Sequence, residues 1–179
     1  PAVSTPSSLA ATTPTSPQNA SPKASKQIPP GAGPLVAAAE KAFAAHNYAE
    51  AEQKYLDVLR QDENNVSTLA NLASTQLELG RAEEAEKNVN HALSLDPADY
   101  FSLYVLGRLR FRQDKLDEAI EHLSLAIRIQ DNMASFHFNY GIALFKKGRL
   151  DEAIKQYERA LELRPGYAEV RNNLANVLV

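Results

Sequence analysis

A chain of 179 residues with a formal net charge of -3 and no cysteine excludes several classes of protein at once. Without cysteine there is no disulfide framework, thiolate metal site or cysteine nucleophile. So small a net charge gives no chain-wide field for nucleic acid or an anionic membrane surface, and no apolar run reaches the roughly 18 to 20 residues that span a bilayer.

In chain order, seven of the ten prolines come first, within residues 1–30, mixed with Ser, Thr and Ala and without an aromatic or acidic residue. Such a stretch buries too little apolar surface to offset its ordering entropy. Residues 1–31 are therefore expected to form a flexible linker or spacer. The alternative is that its extended stretch near residues 17–30 lies in a groove of its own or a neighbouring chain, in the manner of a peptide ligand. From Leu35 onward the composition turns to Ala, Leu, Glu, Gln, Lys and Arg, the residues that lose least on entering a helix, so an all-α body follows.

That body repeats. Ala51, Ala85, Ala119 and Ala153 are evenly spaced, and a recurrence of this kind outranks any local signal. The surrounding words, Tyr48-Ala-Glu-Ala, Ala82-Glu-Glu-Ala, Leu116-Asp-Glu-Ala and Leu150-Asp-Glu-Ala, place acids in the first turn of a helix, where the macrodipole favours them. Within each unit two apolar blocks at helical spacing are separated by a short break, which predicts two antiparallel helices. Gly80 and Gly148 stand where the first helix must end and turn. Pro97 and Pro165 mark the end of the second. Small residues at Ala73, Gly107 and Gly141, with Ala92, Ala126 and Ala160, leave room for helix axes to approach.

These features together resemble the tetratricopeptide repeat. The unit 134–167 matches best, through Gly141, Gly148, Ala153, Tyr157, Ala160 and Pro165. The unit 32–65 matches worst: it keeps Ala51 and Tyr55 but has His46 and Glu63 where the loop glycine and final proline would stand, as in an atypical terminal repeat. Units 66–99 and 100–133 lie between, and the latter has Asp114 and Asp131 at those two places, so its loops are expected to be looser. Residues 168–179 restart the pattern as the first helix of a fifth unit or a cap. Leu174, Val177, Leu178 and Val179 give that helix an apolar face awaiting a partner, so the natural chain is expected to continue. The fold that the resemblance implies is a right-handed superhelical α-solenoid of stacked helix pairs.

Catalysis finds no anchor in the sequence. There is no Gly-x-Ser-x-Gly elbow. His46, His91, His122 and His137 are never three or four residues apart, so no helical pair faces a metal, and His137 takes a bulky packing position. Glycines do not cluster as a phosphate loop. No enzymatic activity, cofactor or metal is expected.

In the family the first helix of each unit lines a concave, ligand-binding face. The resemblance places Ser67, Ala70, Asn71 and Ser74 there, then Phe101, Tyr104, Val105, Arg108 and Arg112, then Phe138, Asn139, Ile142 and Lys146, then Asn172, Asn173 and Asn176. Arg108 and Arg112 are four apart and share a helical face; guanidinium forks suit carboxylates, and Tyr104 and Phe138 are aromatic anchors. The expected partner is an extended protein segment, acidic or aromatic, held by these residues and Lys146. The alternative is that these cations are solvated charges complementing helix ends. Asn71, Asn139 and Asn173 occupy one register position, which resembles the asparagine ladder of O-linked N-acetylglucosamine transferase repeats and would grip a peptide backbone; Val105 and Ala37 interrupt it. The carboxylate clamp of heat-shock-chaperone adaptors is not matched, since Val36, Glu40, Phe101 and Val105 stand at its places and only Asn71 fits. Two further roles stay open: the substrate-recruiting region of a larger glycosyltransferase- or sulfotransferase-like enzyme, and end-to-end assembly of chains through the repeat ends.

Overall fold

The computed structural model describes residues 25–178. The linker expected over residues 1–24 lies outside these, as does Val179. Among the described residues the chain forms nine helices in antiparallel pairs: α1 (Gly33–Ala44) with α2 (Tyr48–Leu59), α3 (Val66–Glu78) with α4 (Ala82–Leu95), α5 (Tyr100–Arg112) with α6 (Leu116–Ile129), α7 (Ala134–Lys146) with α8 (Leu150–Leu163), and α9 (Ala168–Val177) alone. Each helix packs on the next, and the odd-numbered helices from α3 to α9 also touch one another directly across successive pairs. This is the stacked α-solenoid.

Every pair turns the same way for a local reason. The residue just beyond each first helix has positive φ: His46 at 60°, Gly80 at 76°, Asp114 at 61° and Gly148 at 81°. The next amide then reaches back to an orphan carbonyl, Asn47 to Ala42 at 2.8 Å, Arg81 to Gln76, Lys115 to Arg110 and Arg149 to Leu144 each at 2.9 Å. These are the closing bonds of a left-handed helix cap. The looser loop expected at Asp114 is therefore corrected: its backbone makes the same turn and the same closing bond as the glycine loops, because histidine and aspartate tolerate the left-handed region better than most side chains.

The small residues sit where the helices approach. Ala51, Ala73, Ala85, Ala92, Ala119, Ala126, Ala153 and Ala160 are all fully buried. A Cβ at Gly107 would stand 2.7 Å from the Leu123 side chain, and one at Gly141 only 2.6 Å from the Tyr157 ring. The apolar core is continuous from α3 to α9, whereas α1 and α2 close a separate cluster around Tyr55 and Leu72. A polar clamp ties that cluster to the second pair: Arg81 donates to both oxygens of buried Glu52, at 2.9 and 2.8 Å, and Gln76 donates to the same carboxylate at 3.2 Å. His137 is buried, as its packing position implies: Nε2 donates to the Asp131 carbonyl at 2.7 Å and Nδ1 lies 2.8 Å from the Gln156 side-chain amide.

One expectation is shortened. The last part of the linker, from Ser25, is fastened to the solenoid: the Val66 amide donates to the Ser25 carbonyl at 2.8 Å, and Lys26 pairs with Asp96 at 2.5 Å. Backbone donors left open at the start of α3 supply the attachment.

Candidate functional site

The odd-numbered helices bring inward-pointing side chains of four pairs into one concave wall. Its central concavity, of about 280 Å³, has aromatic walls from Phe43, Tyr55, Phe101 and Tyr104, with Asn71, Glu40 and Arg108 at its polar rim. Burial, then the nearby Glu40 charge, pushes the Tyr55 hydroxyl up to about 12, so it is a neutral hydrogen-bonding group. A second concavity of about 330 Å³ shares Asn71 and Phe101 with the first and runs to Asp99 and Lys26. A third, of about 150 Å³, lies on the other side of Arg108, between Arg112, Asn139 and Ile142.

Asn71 is the predicted residue best placed for a ligand. It is half-buried and borders both larger concavities; its carbonyl accepts from the Thr75 hydroxyl at 2.8 Å, and its side-chain amide has no partner among the described residues. Most of the other predicted residues carry internal duties. Tyr104 is buried, stacks on Phe136 with ring centroids 4.1 Å apart, and accepts a hydrogen bond from Asn139 at 2.9 Å. Asn139 also donates to the Ser135 carbonyl at 2.8 Å, so the second rung of the asparagine row holds the stack together. Phe138 faces the far end, 5.0 Å from the Tyr167 ring. Asn173 lies half-buried on α9.

The cations are not free. Arg108 and Arg112 both bind Glu78, Arg112 at 3.0 Å, and Arg112 also donates to the Leu77 carbonyl. The Arg108 guanidinium lies 5.5 Å from the Tyr104 ring centroid. Burial pushes the Glu78 carboxyl up, but the hydrogen bonds and charge of Arg108, then of Arg112, outweigh it and hold the group below the usual carboxylate range. Lys146 pairs with Asp114 at 2.7 Å and sits over the Phe111 ring. The basic stretch of this face is thus arranged as two guanidiniums around one carboxylate. The repeat explains it: Glu78, Arg112 and Lys146 fall at the same position of successive units, so stacking sets an acid beside the next unit's base. That column was readable in the sequence. The pocket-forming Phe43, one period before Leu77, was readable too, as an apolar column; the reach of Lys26 was not.

Among the described residues, no helix is long and apolar enough to cross a membrane, and no cluster of three metal-ligating side chains occurs.

The fold and the groove define a helical-repeat scaffold for protein–protein interaction. Residues 107–148 and 141–179 match the family described as TPR repeat, and residues 42–104 match the one described as tetratricopeptide repeat. The chain belongs to the tetratricopeptide repeat family, whose members are generally non-catalytic. It is 31% identical over 97 residues to the DnaJ homolog subfamily C member 7 homolog of Schizosaccharomyces pombe, across 52% of this chain and 20% of that one, so it spans about a fifth of this relative's length. The crystal structure of MamA superposes with a TM-score of 0.63 at 27% identity, covering 78% of this chain and 81% of that one. YrrB, a TPR protein with an unusual peptide-binding site, shares the fold with a TM-score of 0.59 at 22% identity, over 82% and 75% of the two chains.

Proposed function

We propose that this scaffold holds an extended peptide segment of a partner protein along the concave face, with an apolar side chain seated between Phe43, Tyr55, Phe101 and Tyr104. The observation that carries this reading is the aromatic-walled concavity with an asparagine amide at its rim that has no partner among the described residues. A pocket of that character takes an anchor residue, and a free amide offers a donor and an acceptor to a passing backbone. The charges set a direction. Arg108 and Arg112 share one carboxylate, leaving one positive charge at the α5 end, while exposed Glu40 stands at the α1 end. An acidic partner residue is favoured beside Arg112, and a neutral or basic one beside Glu40.

The test is an array of extended peptides with one apolar anchor, scored by fluorescence anisotropy against the wild-type chain and Asn71→Ala and Phe101→Ala variants. The expected result is loss of binding by tenfold or more in both variants. Peptides bound equally by all three proteins remove this groove as the site.

A further inference from the structure

The loops before α3 and α5 do more than join helices. Asn65 and Asp99, at the same position of successive units, cap these two helices: Asn65 accepts from the Thr68 amide at 3.0 Å, and Asp99 from the Ser102 amide at 2.9 Å. The corresponding Met133 and Tyr167 give no such cap. Both polar caps are almost wholly buried, at 1% and 5% exposure, and besides the bonds within their own turns both reach one tripeptide.

That tripeptide is Ser25-Lys26-Gln27. Ser25 pairs with the backbone around Asn65 as a short parallel bridge, donating to the Asn64 carbonyl at 3.2 Å and accepting from the Val66 amide at 2.8 Å. The Asn65 side-chain amide donates to the Gln27 carbonyl at 2.7 Å. Between these two backbone grips the Lys26 ammonium reaches Asp96 at 2.5 Å and Asp99 at 3.4 Å. The arrangement reads an extended backbone on both sides of one cation, which is how added strands are recognised. Two carboxylates facing one ammonium leave the site acidic.

We propose that the loops 64–66 and 96–99 form a second peptide-recognition site, distinct from the aromatic pocket, that takes an extended segment with a lysine at its centre. Its occupant is the chain's own residues 25–27, tethered to α1 by residues 28–32. So short a tether holds the occupant at an effective concentration of roughly millimolar, so a basic segment from elsewhere must displace it. Lys26 also borders the concavity that runs past Asn71 and Phe101, so displacing the strap opens that end of the groove.

The experiment is amide exchange by NMR on the full chain. Among the described residues the Val66 amide, at the open start of α3, has Ser25 as its hydrogen-bond partner, whereas the Leu69 amide bonds within the helix to the Asn65 carbonyl. Lys26→Glu is expected to accelerate exchange at Val66 at least tenfold and leave Leu69 unchanged. Adding the blocked hexapeptide of residues 24–29 in trans, up to millimolar concentration, is expected to restore Val66 protection in this variant; the same peptide with Glu for Lys restores none, and the wild type does not respond. If Leu69 accelerates in step, Ser25→Pro, which removes the amide donated to Asn64, replaces the first variant. Unchanged Val66 exchange on release, or no rescue by the lysine peptide, overturns the proposal. Neither readout involves the aromatic pocket, so failure here and failure of the groove reading are separable.

Discussion

Gly141→Ala isolates the close approach on which the last complete helix pair depends. A methyl at Gly141 would lie 2.6 Å from Cε1 and 2.8 Å from Cδ1 of Tyr157, about 0.8 Å short of ordinary van der Waals contact. The ring has little room to retreat, being 1% exposed and flanked by Phe138. Overpacking of this size costs about 1–3 kcal/mol, while replacing a mid-helix glycine by alanine returns about 0.5–1 kcal/mol. The net expectation is a loss of about 1–2 kcal/mol, or roughly 3–6 °C in Tm for a chain of this size, measured by thermal melting at 222 nm. Gly33→Ala is the control, since a Cβ there meets nothing within 4 Å; its Tm should equal or exceed the wild type. A double cycle with Tyr157→Leu should show less than additive loss, because trimming the ring removes the clash. A Gly141→Ala protein that melts at or above the wild-type temperature refutes the claim that α7 and α8 are held at this distance.

Three more outcomes follow from the same geometry. Glu78→Gln leaves Arg108 and Arg112 without their shared anion, so peptides with an acid beside the anchor should bind at least threefold tighter by calorimetry, with neutral peptides unchanged. Stability should fall on acidification: the Glu78, Glu86 and Asp96 carboxyls are held below their usual range, so the unfolded chain takes up protons first. Their contribution is intact at neutral pH and is lost as pH falls below about 4.5 toward the folded values, which urea midpoints at pH 7, 5 and 3 will show, with a shallower slope in Glu78→Gln. Gly148→Ala puts a side chain at φ 81°, where left-handed backbone costs roughly 1 kcal/mol, and should lower Tm by about 2–4 °C.

Sequence alone determined the period, and with it nearly the whole fold. An alanine at one place in every unit, a turn after each first helix and small residues at facing positions admit one solution, because each element's local preference and the stacking of its neighbours demand the same register. Even the turns at His46 and Asp114 keep that register, on side chains that tolerate the left-handed region better than most. The groove was legible only in part. Its positions followed from the period, but the state of each residue depended on what stood one unit away. Arg108 and Arg112 look like open cations along the chain, and only stacking puts Glu78 between them. Tyr104 looks like a free anchor until Phe136 lies over it and Asn139 holds its hydroxyl. The sequence offers docking of the stretch near residues 17–30 as an alternative, but nothing in it singles out Lys26 or the caps it meets. The place of Lys26 was decided by two helix caps that form locally, Asn65 with Thr68 and Asp99 with Ser102, and that come within reach of one tripeptide only once α3 and α5 stand side by side.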